Sequence, residues 1–165
     1  MPIDLNNIKT QIKSILDTAN TTTASTDLSN SLVGDRVKKV FKFDMENIPV
    51  QADYYPLVTT FIDGKNIEPS TIAVNQSIGK RTAEVDVKVV GATFHSDFRS
   101  NVEDQASEDR NQLMENIEEI LRANSTLNNT VLWNFPSDVV YESGILDEDT
   151  IVKVGVLNLR CKVHY

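Results

Sequence analysis

His95, Asp97 and Arg99 are the residues whose types and spacing come closest to chemistry, because an imidazole beside a carboxylate and a guanidinium can exchange protons. Their place in the chain fits a plainer role, as the polar connector between a strand and the capped start of a helix. Cys161 and His164 are the other soft ligands, but three residues apart on an extended run they point to opposite faces and cannot hold one metal together. Cys161 lies in an alternating apolar run, which predicts a buried, inert thiol. Asp147, Glu148 and Asp149 are adjacent acids on a turn; they diverge, and without a fixed-spacing Asp/Gly calcium pattern they predict solvation. No phosphate-cradling glycine pattern and no serine elbow occurs. Arg36, Lys38, Lys39 and Lys42 make the one local basic cluster, read either as a solvated strand face or as a site for an anion or an acidic partner. The residues themselves call for no reaction, metal or cofactor, so no enzyme is expected.

The chain of 165 residues is about one domain and long enough to bury a core without a disulfide or metal staple. Hydrophobic residues at 40% and charged residues at 24% are ordinary for a folded, soluble protein. A formal net charge of −8 repels phosphate backbones and anionic lipid heads, which disfavours a nucleic-acid reader or a membrane-surface protein. No apolar run is long enough to span a bilayer, and the Met-Pro-Ile-Asp-Leu start has neither a basic n-region nor an apolar h-region, so the product is expected to stay in the cytoplasm where it is made.

These residues need a scaffold, and its centre is a long amphipathic helix near residues 100–124. Ser100 with Glu103 fits an S-x-x-E capping box, and Ser107 offers a later start. Leu113, Met114, Ile117, Ile120 and Leu121 recur at helical spacing, leaving Glu115, Asn116, Glu118, Glu119 and Arg122 for a wet face. Asp4 caps an N-terminal helix over residues 1–19, with Ile8, Ile12, Ile15 and Leu16 on one face. Residues 20–35 are rich in Thr, Ser, Asn and Asp and read as a flexible linker.

The rest, residues 36–165, reads as a sheet carrying the long helix. Residues 36–44 and 54–62 form strands, the second closed by an Asp63-Gly64 turn. Residues 65–80 form a long loop or a protruding hairpin, and Val85, Val87 and Val89 alternate with charges in the next strand. After the polar Thr126-Leu127-Asn128-Asn129 turn, Val131, Trp133 and Phe135 mark a strand that Pro136 ends. Residues 139–142 form a short strand, Ser143-Gly144 opens the next turn, and residues 151–165 form the last strand, apolar on both faces in its first half. The fold class is α+β: a mainly antiparallel sheet with an N-terminal helix and one long helix packed on it.

The order of these elements, with Tyr55-Pro56-Leu57-Val58 opening a strand, the Val85-Val87-Val89 strand, the long helix and the turn into paired C-terminal strands, resembles the tail terminator proteins of tailed bacteriophages. The segment Arg122-Ala123-Asn124-Ser125-Thr126-Leu127-Asn128-Asn129-Thr130-Val131 is similar to that family's exit from the helix, with Asn where Gly is commoner. The resemblance covers nearly the whole chain. It implies a virion protein that assembles with itself, commonly as a hexamer, on the last ring of the tail tube, stops polymerisation and offers a joining surface to the head. The implied partners are the tail tube protein, the neck or connector protein and, in a contractile tail, the sheath protein. DNA would only pass through the lumen, which a negative ring permits, and no membrane is involved. Lys65, Asn66, Asn75, Lys80, Arg81, Glu118, Glu119, Asn128 and Asn129 are the candidate interface residues. A neck or head-completion protein of the same virion, a small enzyme built on His95, Asp97 and Arg99, and a host binding module are the alternatives.

Overall fold

Asp4 starts the first element. In the computed structural model, which describes residues 3–49, 51–67, 82–96, 102–147 and 150–164, its carboxylate accepts the Asn7 N–H at 2.9 Å, and helix α1 (Leu5–Ala19) follows. Ile8, Ile12, Ile15 and Leu16 are its buried stripe, as their spacing predicts.

Residues 20–35, expected to be a flexible linker, are instead a run of turns tied to both helices. Leu28 is fully buried and its N–H donates to Ala19 O at 2.9 Å. The Asn20 side chain accepts from the Ser29 hydroxyl and donates to Val37 O, while Ser29 Oγ accepts the Val37 N–H. Thr, Ser and Asn serve here as backbone partners that let a polar segment enter the core.

Strand β1 (Lys39–Phe41) is shorter than the predicted 36–44 and pairs in parallel with β2 (Leu57–Ile67). Beyond Phe41 the chain leaves the sheet because the Thr59 hydroxyl captures Phe43 O, and two short helical turns, Met45–Asn47 and Ala52–Tyr54, follow. Strands β2 and β3 (Thr82–Ser96) are antiparallel, as are β3 with β5 (Thr150–His164) and β5 with β4 (Trp133–Asp147). The long helix α2 (Val102–Ala123) connects β3 to β4. Among the described residues the spatial order is β1-β2-β3-β5-β4, an α+β fold with a mixed five-stranded sheet and two helices.

Three expected strand breaks turn out to be features within strands. Asp63-Gly64 does not turn the chain; Asp63 is the extra residue of a bulge, and the ladder with β3 continues to Ile67 opposite Ala83. Pro136 does not end its strand, because β4 is the outermost strand and can lose an N–H, and a bulge at Ser137 restores the register. Ser143 and Gly144 pair with Lys153 and Val152, so the predicted short strand 139–142 is the middle of β4. In each case continued pairing with a long partner strand outweighs the local turn preference.

Both helices lie on one face of the sheet. Val85, Val87 and Val89 of β3, Leu157, Leu159, Cys161 and Val163 of β5, and Leu113, Met114, Ile117, Ile120 and Leu121 of α2 join the α1 stripe in one core. Gly91 and Gly155 face each other across β3 and β5, and the Met114 side chain fills the notch they leave; a Cβ at Gly155 would lie 2.4 Å from Met114 Cγ. On the opposite face a smaller core of Ile48, Tyr55, Leu57, Ala92 and Val152 is covered by the segment between β1 and β2. No helix among the described residues is long and apolar enough to cross a membrane.

Candidate functional site

Ser100 of the predicted capping box lies outside the described residues, and the stripe of α2 is in place with two polar additions. Asn116, expected on the wet face, is buried: its amide donates to Leu28 O at 3.1 Å and Asn30 O at 2.9 Å. Asp109, seven residues earlier and so on the same flank, is also buried and accepts the N–H groups of Val33 and Gly34 at 2.5 and 3.1 Å. These two side chains fasten residues 28–34 along α2. A polar residue at helical spacing beside an apolar stripe was the only sequence signal for either.

Asp109 is also a neighbour of His95. His95 Nε2 stands 3.6 Å from Asp109 Oδ2, at the edge of a cleft of about 350 Å³ that Lys38, Tyr55 and Phe94 also line. Asp97 and Arg99 lie outside the described residues. With one Asp109 oxygen held by Val33 and the other shared between Gly34 and His95, the carboxylate is committed to holding backbone, a positioning role. Cys161 and His164 do sit on opposite faces, Cys161 under the helices and His164 exposed. Burial, with the Asp86 charge adding to it, pushes the Cys161 thiol up to about 12, so a thiolate nucleophile is not available near neutral pH.

The candidate interface residues divide into two groups. Asn75, Lys80 and Arg81 lie outside the described residues. Lys65 and Asn66 lie on β2, opposite Val85 and Glu84, the strand pairing that a hairpin there requires, and are exposed. Glu118 makes a helical salt bridge to Arg122 at 2.7 Å, and that guanidinium lies 5.8 Å from the centre of the Phe135 ring. Glu119 is exposed and accepts from the Thr26 hydroxyl at 3.0 Å. By register, the last residues of β2, the first of β3 and the first of β4 share one end of the sheet.

At that end stands the turn after α2. Leu127, Asn128 and Asn129 take φ values of 45°, 56° and 63°, three consecutive left-handed residues. Each costs a side-chain-bearing residue about 1–2 kcal/mol, least for Asn, whose short amide tolerates this region. Burial of Leu127 and closure by Thr130 N–H to Leu127 O at 3.2 Å and Val131 N–H to Thr126 O at 3.1 Å hold the turn. Asn134 then locks the exit, its N–H to Ser125 O at 2.7 Å and its amide to Asn124 O at 2.8 Å. Asn128 and Asn129 are exposed, and Asn128 donates to Gln11 on α1 at 3.0 Å. Beside them a groove of about 540 Å³ runs between the C-terminal halves of the helices and the 21–26 turns, lined by Thr18, Thr21, Thr23 and Asn124 among others. The arrangement is an uncharged, hydroxyl-rich surface with Asn128 on its rim, suited to contact through hydrogen bonds. Comparison of the chain with protein-family models gives no match, and neither does comparison with curated proteins.

Proposed function

We propose that this chain is a structural subunit of a phage virion that assembles as a ring on the end of the tail tube, ends tube growth and forms the joining surface to the head. The observation that carries the reading is the order of elements around α2: a helix, a strand opened by Tyr55-Pro56-Leu57-Val58, the alternating β3, the long helix and a tight Asn turn into a terminal hairpin. The left-handed turn adds support, because Asn128 and Asn129 occupy a backbone conformation that favours Gly or Asn, the substitution noted against the family pattern. In this reading the tail tube and the neck are its partners, the candidate residues Lys65, Asn66, Glu118, Glu119, Asn128 and Asn129 supply contacts, and no reaction is catalysed.

Light scattering and native mass measurement of the chain, alone and with tail-tube protein of the same virion, test the proposal. Association with tube ends is the expected outcome, and a chain that stays monomeric in the presence of tubes contradicts it. A terminator that forms its ring only on the tube is monomeric in isolation, so the mixture is the deciding sample.

A further inference from the structure

The five-stranded sheet has two outer edges, and they carry opposite charge. One edge is β4, which holds Asp138, Glu142 and Asp147 and, from residue 133 to 147, no Lys or Arg. The other is β1, where residues 36–43 contain Arg36, Lys38, Lys39 and Lys42 and no Asp or Glu. Arg36 is held by Asp27 and Lys38 by Asp35, so Lys39, exposed on the strand itself, is the cation best placed to look outward.

An outermost strand offers a row of backbone donors and acceptors, and proteins usually blunt such an edge with Lys, Pro or a bulge. On β4 irregularities at Pro136–Asp138 and at Ile145–Asp147 interrupt the two ends, and residues 138–145 between them pair regularly. Between them Glu142 is exposed, Val140 is 46% exposed on one face, and on the other the Tyr141 ring is 46% exposed beside the Arg110 guanidinium, 4.4 Å from its centre.

We propose that the acidic β4 edge of one copy docks on the basic β1 edge of a second copy, carrying the sheet from subunit to subunit. This inference rests on the ring reading above and names its contact. The two edges differ, so the contact is head to tail, the kind that closes into rings when the rotation between neighbours permits. Pairing β4 with β4 would set Glu142 and Asp138 of one copy against acids of the other, which like-charge repulsion opposes. Three residues of β1 supply few backbone bonds, so the charges carry much of the contact.

Charge reversal at low salt tests it, with assembly on tail-tube protein read by native mass and folding checked by thermal melting. Glu142→Lys and Lys39→Glu each weaken assembly about tenfold or more. Both changes in one chain restore it, and an equimolar mixture of the two single variants also assembles, because every junction then pairs opposite charges. Single variants that assemble like the unaltered chain overturn this contact and leave the ring reading standing. A mixture of Glu142→Lys with the unaltered chain that assembles better than the unaltered chain alone overturns it in favour of β4 on β4. An unaltered chain that never assembles with tube protein overturns the ring reading, and this contact with it.

Discussion

On β3 and β5 neighbouring residues meet opposite environments. Val85, Val87, Val89, Leu157, Leu159 and Cys161 lie under α1 and α2, while Glu84, Asp86, Lys88, Asn158, Arg160 and Lys162, one position over in each case, look out from the other face. The covered face is sealed by side chains cut to fit, down to the Gly91 and Gly155 notch around Met114. The outward face is held by exposed pairs, Arg160 with Asp86 at 3.7 Å and Lys88 with Asp63 at 3.2 Å, whose worth in water is small. Stability is therefore concentrated on the helix side of the sheet, with less held by the smaller core and the exposed pairs of the other.

Placing a charge on the covered face should have the largest effect. Ile117→Asp puts an unpaired carboxylate at a fully buried position and is expected to unfold the subunit, a loss above about 4 kcal/mol seen as collapse of the helical circular dichroism signal. Asp86→Asn on the outward face should change stability by less than about 0.5 kcal/mol. Equal losses for the two would erase the contrast. Next, Gly155→Ala should cost about 1–3 kcal/mol by driving a methyl into Met114, and adding Met114→Ala should recover part of that loss. Failure of the second change to help would place the strain elsewhere.

Asp109→Ala comes third, at about 2 kcal/mol, because two backbone N–H groups lose their acceptor. Amide exchange at Val33 and Gly34 should quicken with it. The smallest effect belongs to the exposed Asp27 and Arg36 pair. The Arg36 guanidinium beside Asp27 holds its carboxyl below the ordinary 3.8, so the stabilisation is complete above that value and is lost as pH falls through the depressed one. Asp27→Asn should remove that part of the acid dependence and cost less than about 1 kcal/mol near neutral pH.

The periodicities of Ile8, Ile12, Ile15 and Leu16, of Leu113 to Leu121 and of Val85 to Val89 made the helices and the covered face legible, because burial on one face leaves a pattern in the chain itself. Asp63-Gly64, Pro136 and Ser143-Gly144 misled because turn chemistry is local, whereas the pairing that overrides it comes from a distant strand. Asp109 and Asn116 were hidden for the same reason: their partners, residues 28–34, are some 80 positions away. Asp4 and the Asn128-Asn129 turn were readable, since a cap and a left-handed residue act on their own neighbours. His95 meets Asp109 from α2, a neighbour that its own segment does not announce, while Asp97 and Arg99 lie outside the described residues.

Growth of tail tubes in the presence of the chain tests the central claim most directly. Tube protein polymerised with increasing amounts of subunit and imaged by electron microscopy should give progressively shorter tubes, each bearing a ring of added density at one end. Tubes of unchanged length with bare ends, at subunit concentrations equal to that of the tube protein, would contradict it.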